Sequence, residues 1–259
     1  MNDQALTSLE AGVSPLGIAV PCRTGVGKMR RILFLGFLIA LTIAGSCNSE
    51  TLFKSNFDAT AVNQPPSPTQ AVGTASIDGP AGSVLVVAAP PDAQPSGKWL
   101  QISRPTGPQV ASFQGKLTQQ PGNGTYVFST ALFMRQNNSG GATIQFEPFN
   151  QPVTSPSGFL HLDFLPNNRV RIDDDDSTIF GEFPRNQVFL VQVTLNINDT
   201  SPNARIILSG AGASGQADRT VIPAFRPRAQ QFGAVRIWMG FPHTGAFQAT
   251  NVVVQRKQQ

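Results

Sequence analysis

Between Val188 and Asn198 the apolar residues fall on every second position: Phe189, Val191, Val193, Leu195 and Ile197 alternate with Gln192, Thr194, Asn196 and Asn198. An extended strand turns successive side chains to opposite faces, whereas a helix would need an apolar residue every three or four positions. This segment is therefore one long strand with a buried and a solvated face. The same rule reaches much of the chain. Tyr126, Phe128, Thr130, Leu132 and Met134 share a face, as do Leu160, Leu162 and Phe164, with His161 and Asp163 opposite. Val170 and Ile172 alternate with Arg169 and Arg171 after the turn Pro166-Asn167-Asn168, so these two segments form a hairpin.

Further strands are expected at Leu52 to Asp58, Ser83 to Ala89, Trp99 to Ser103, Ala142 to Phe146, Ala204 to Leu208, Val235 to Met239 and Asn251 to Val254. Prolines and glycines separate them: Pro65, Pro66 and Pro68, then Pro90 and Pro91, then Pro105, Gly107 and Pro108. No amphipathic helix is evident after residue 47. The expected architecture is all-β, an antiparallel two-sheet sandwich over residues 52–259.

The chain before that domain reads as a targeting segment. Lys28, Arg30 and Arg31 precede an unbroken apolar run from Ile32 to Ile43, closed by Ala44-Gly45-Ser46-Cys47. The run falls short of the roughly 20 apolar residues that span a bilayer, and its flanks are those of a secretory signal. It resembles the signal peptide of bacterial lipoproteins, whose cysteine is diacylated and becomes the mature N-terminus. That resemblance implies residues 29–46 as signal, Cys47 as the lipidation site and 47–51 as a tether. It also implies attachment to the membrane of the bacterial cell envelope, with Asn48 rather than aspartate after the cysteine favouring the outer membrane. Residues 1–28 read as an extension that either lies upstream of a true start at Met29 or forms an unusually long basic region.

Composition is informative once the signal is set aside. The full chain has a pI near 9.5, yet residues 1–46 hold Arg23, Lys28, Arg30 and Arg31 against only Asp3 and Glu10. The remainder carries 15 basic and 13 acidic residues, too balanced for a nucleic-acid surface. Both cysteines, Cys22 and Cys47, are accounted for outside the domain, so no disulfide supports it.

The order of strands resembles the concanavalin-A-like or laminin-G-like jelly roll. The resemblance is carried by Asn56-Phe57-Asp58, by Val170 to Asn198, and by Phe247 to Val252 leading into the last strand. An immunoglobulin-like sandwich is the alternative, although such domains run to about 100 residues. The resemblance implies a ligand face on one sheet and places the chain among folds used by lectins and glycan-cleaving enzymes.

The side chains facing away from the core can then be named. If their strands share a sheet, Gln145, Glu147, His161, Asp163, Arg171, Arg236 and Trp238 form one solvated face. An indole stacks on a sugar ring while carboxylates and guanidinium groups take its hydroxyls. The plainer reading is a solvated surface with cross-strand ion pairs such as Asp163 to Arg171. Hydrolysis would need two carboxylates flanking the scissile bond, with Glu147 and Asp163 the candidates. The Glu-x-Asp-x-x-Glu run of the jelly-roll glucanases is absent, and the single tyrosine, Tyr126, alternates with core residues, which disfavours lyase chemistry. No catalytic residue is assigned. Non-catalytic binding of carbohydrate or another envelope component is the leading expectation, and a glycan-cleaving enzyme the alternative. Asp173, Asp174, Asp175 and Asp176 offer oxygen ligands for calcium, but the EF-hand glycine and glutamate positions hold Thr178 and Pro184. A solvated hairpin tip is the other reading of that run. His161 and His243 are too far apart in sequence to suggest zinc.

Overall fold

The computed structural model describes residues 49–104, 107–154 and 157–258. Cys47 and the signal segment lie outside the described residues. Among the described residues fifteen strands form two antiparallel sheets, and the helical structure is confined to a 3₁₀ turn, Pro223–Phe225, and α1, Arg226–Gln230. That short helix has no apolar stripe and buries only Ala229.

The first sheet runs in the order β13 (Gly215–Thr220), β12 (Asn203–Gly210), β11 (Val188–Ile197), β6 (Gly124–Met134), β15 (Gly245–Lys257), β4 (Lys98–Arg104) and β3 (Val84–Ala88). β1 (Ser49–Ser55) joins it by pairing with the second half of β15. The second sheet runs β10 (Asp175–Phe180), β9 (Val170–Ile172), β8 (Leu160–Phe164), β7 (Ala142–Pro148), β14 (Phe232–Met239), β5 (Ala111–Lys116) and β2 (Thr74–Asp78). Two sheets of this size exclude the immunoglobulin-like alternative and give the jelly-roll sandwich. β1 opens at Ser49, inside the stretch read from sequence as tether.

The core lies between the sheets and is aromatic. Phe128 meets Phe146 edge-on at 5.4 Å, Tyr126 meets Phe232 at 5.4 Å and Phe159 meets Phe232 at 6.0 Å. Edge-to-face pairs of this kind add roughly 0.5–1.5 kcal/mol beyond the area they bury. Tyr126 is fully buried, as its alternation with Phe128 requires, and its hydroxyl donates to the Gly122 carbonyl.

Four strands were not legible from alternation. β2, β5 and β13 carry few large apolar residues, and β5 buries Ser112 and Gln114 on the face away from the core. β10 begins inside the aspartate run. Asp173 and Asp174 both take φ near +57° and turn the chain between Ile172 and Asp175, the two-residue turn that matches the right-handed twist of a hairpin.

Candidate functional site

The site is built on the outer face of the second sheet. β14, β7, β8 and β9 are consecutive neighbours there, so the condition on which the solvated face depended is met. Register places Trp238 opposite Thr143, Thr143 opposite Asp163, and Asp163 opposite Arg171. With strands about 4.8 Å apart, this row is roughly 14 Å across. One residue pair along, Arg236, Gln145 and His161 form a second row.

A cleft of about 220 Å³ lies over the first row, lined by Trp238, Thr143, Asp163, Arg171, Phe241 and His243 among others. Trp238 is half-buried, and its indole N–H donates to Gln145 Oε1 at 3.1 Å. The turn after β14 lies against its edge, where a Cβ on Gly240 would sit 2.3 Å from Trp238 Cζ3. The same turn carries Phe241, 72% exposed, and His243, whose ring lies on Gly141 so closely that a Cβ there would be 2.2 Å away. Glycine at these two positions is what lets the rings close around the cleft.

Charge in the cleft is carried by Asp163, Arg171 and Asp174. Asp163 Oδ1 accepts from Thr143 Oγ1 at 2.8 Å, while Oδ2 has no hydrogen-bond donor and stands 3.6 Å from Arg171. Burial raises the Asp163 pKa; the Thr143 hydrogen bond opposes this, Asp174 adds to it, and His161 and Arg171 oppose it. Arg171 also pairs with Asp174 at 2.7 Å and Asp176 at 3.1 Å, so one guanidinium is shared among three carboxylates.

Several residues expected on a solvated face are sealed beneath it. Glu147, Gln145 and Arg236 point away from the core yet are at most 2% exposed. Glu147 accepts from the Gln114 and Gln145 side-chain amides, and Arg236 donates to Ser112 Oγ at 3.1 Å beneath Trp238, its guanidinium carbon 5.4 Å from the ring. Gly158 lies against Gln145 and His161, where a Cβ would come within 2.2 Å of His161 Nε2. The loop carrying Gly158 thus covers this row, and Arg228 of α1 holds it by donating to the Gly158 carbonyl at 3.2 Å. Burial raises the Glu147 pKa against the lowering effects of Gln114, Arg236 and Lys116; burial likewise lowers that of Arg236.

The cleft therefore keeps Trp238, Asp163 and Arg171 from the sequence-derived set, adds Asp174 from the aspartate run, places Gln145, Glu147 and Arg236 below as support, and leaves His161 half-buried under the neighbouring loop. Glu147 sits four residues along β7 from Thr143, the partner of Asp163, roughly 13 Å away along the strand. That spacing and its burial separate it from Asp163. Sequence reasoning missed Thr143, Phe241 and His243; Gly240-Phe241-Pro242, an aromatic between turn residues just after Trp238, was the available signal. At the aspartate run, Asp173 pairs with Arg219 at 3.0 Å and Asp175 with Arg219 at 3.5 Å, while Asp174 and Asp176 face Arg171. Among the described residues no three His, Cys, Asp or Glu side chains are grouped to hold a metal ion.

Fold and cleft together define a jelly-roll sandwich with an aromatic, carboxylate-bearing cleft on the outer face of one sheet. The globular domain of T. cruzi calreticulin is similar over 81% of this chain and 89% of its own, at 12% identity and a TM-score of 0.50, a likeness of fold. Lectin II from Ulex europaeus (12% identity, 80% of this chain and 97% of that one, TM-score 0.49) and a GH131 beta-glucanase catalytic domain from Podospora anserina (11%, 81% and 97%, 0.48) are also similar. No family model matches the sequence, and no curated protein does.

Proposed function

We propose that this protein binds carbohydrate in the cleft over Trp238 and does so without cleaving it, held at the bacterial cell envelope by acylation of Cys47. The observation that carries the reading is the half-buried Trp238 indole, fixed by Gln145 and flanked by exposed Phe241, beside a carboxylate whose Oδ2 lacks a hydrogen-bond donor. Two aromatic rings offer an apolar platform to the face of a sugar ring, and Asp163, Thr143 and Arg171 supply acceptors and donors to its hydroxyls. The sealed position of Glu147 takes it out of reach of a bound sugar, and Asp174, the second carboxylate of the cleft, is engaged by Arg171 at 2.7 Å, so neither stands opposite Asp163 as the free partner that hydrolysis needs.

The test is a glycan array followed by calorimetry on the best ligand. Wild type binds, and Trp238→Ala weakens binding at least tenfold at a temperature where circular dichroism shows the variant still folded, since the change also removes the cover over Arg236 and the hydrogen bond to Gln145. An array without a signal overturns the reading; reducing ends released from the bound glycan replace it with glycan cleavage. The same titration in calcium and in chelator reads whether Asp173 to Asp176 contribute through the ion.

A further inference from the structure

Where the Gly240–Gly245 turn leads into β15 lies a second cavity of about 520 Å³, lined by Gly82, Ser83, Ser103, Arg104, Asn137 and Thr244 among others. Arg104 is the last residue of β4 and is 2% exposed. Its Nε donates to the Gln109 carbonyl at 2.7 Å, its Nη1 donates to the His243 carbonyl, and its guanidinium carbon lies 5.7 Å from the Phe241 ring centroid. Among the described residues it has no carboxylate within ion-pair distance, and its Nη2 has no partner. Ser83, 5% exposed, lines the same cavity, and its hydroxyl is also without a partner.

A buried cation without a counter-charge is expensive, and an unmet buried donor adds to that expense. Both residues line one cavity with these two atoms shielded from solvent just behind its wall, and one kind of ligand, displacing that wall as it enters, removes both deficits. We infer that the Arg104–Ser83 cavity is a binding site for a small oxyanion, a carboxylate or a sulfate-like group, separate from the carbohydrate cleft. Because Nε and Nη1 are committed to backbone carbonyls, the guanidinium cannot offer its usual forked pair. The anion is held at single points, by Nη2 and by the Ser83 hydroxyl. Such contacts to a charged group are stronger than neutral hydrogen bonds but lack the geometric selectivity of a bidentate clamp, so affinity is set by charge more than by shape.

Sodium acetate and sodium sulfate, titrated into the full domain at constant ionic strength against sodium chloride, test this by calorimetry and by the chemical shift of the Arg104 side chain. Wild type gives saturable binding of at least one oxyanion with movement of the Arg104 signal. Ser83→Ala weakens it about tenfold, the equivalent of one charge-assisted hydrogen bond. Arg104→Lys abolishes it; since that change also disturbs the turn, Ser83→Ala is the deciding variant. No saturable binding, or binding that Ser83→Ala leaves unchanged, overturns the site. Acetate binding without sulfate binding assigns it to a carboxylate, and the reverse to a tetrahedral oxyanion. The glycan titration of Trp238→Ala is unaffected by either result.

Discussion

Glu147 shows how far one side chain can depart from its place in a pattern. Its position on β7 puts it on the outer face, but amides from Gln114 and Gln145 and the loop over Gly158 enclose that row. Its folded-state pKa is raised chiefly by burial, so the folded protein binds the Glu147 proton more tightly than the unfolded chain does. The sign follows from linkage: stability is greater at low pH and falls as pH rises from the ordinary carboxylate value through the raised one. Asp163 shifts in the same direction and adds to the slope. Urea midpoints from pH 4 upward should therefore decline across this window, and Glu147→Gln should flatten the decline. Glu147→Ala, which leaves the buried Gln114 and Gln145 amides without their acceptor, should cost about 3 kcal/mol at pH 7 in the same measurement.

At the scale of the strand, β15 has two different partners along one edge. Its first half pairs with β4 and its second with β1, and the change occurs at a register shift between Thr250 and Val253. Asn251, at φ +50°, is the extra residue. Phe247 and Ala249 point inward before it, Val252 and Val254 after it. The bulge moves the buried set from odd to even positions, and the apolar run Val252 to Val254 alone would not tell which valines face the core. A β-branched residue resists a left-handed backbone, so Asn251→Val should lower stability by about 1–2 kcal/mol in chemical denaturation, while Asn251→Gly should match or exceed wild type.

Across the molecule, β15 also relates the two ends of the sandwich. Its first residue, Gly245, adjoins the turn that walls the cleft, and its last, Lys257, pairs with Ser49. Thirteen extended residues span roughly 40 Å. Cys47 precedes Ser49 by two residues, a reach of about 7 Å. On the proposal of an acylated Cys47, the cleft faces away from the bilayer. Cys47→Ser should move the protein from the membrane to the soluble fraction. In vesicles, a label at Asp199→Cys, near the Ser49 end, should be quenched by spin-labelled lipid and one at Phe241→Cys should not; quenching at Phe241 would reverse the orientation.

The sequence by itself determined the architecture and the two faces of each strongly alternating strand, because a period of two is a local property of extended backbone. It also determined that Trp238, Asp163 and Arg171 turn outward, and that Asp163 and Arg171 meet across one hairpin. Tertiary structure decided which strands lie side by side, and so which of those outward residues share a row. It decided too that the Gly158 loop buries Glu147 and Gln145 and that the Phe241 turn walls the cleft. Among the described residues, it alone isolated Arg104 from any carboxylate. Those outcomes depend on pairings between segments far apart in the chain, and alternation within a strand carries no information about its neighbours.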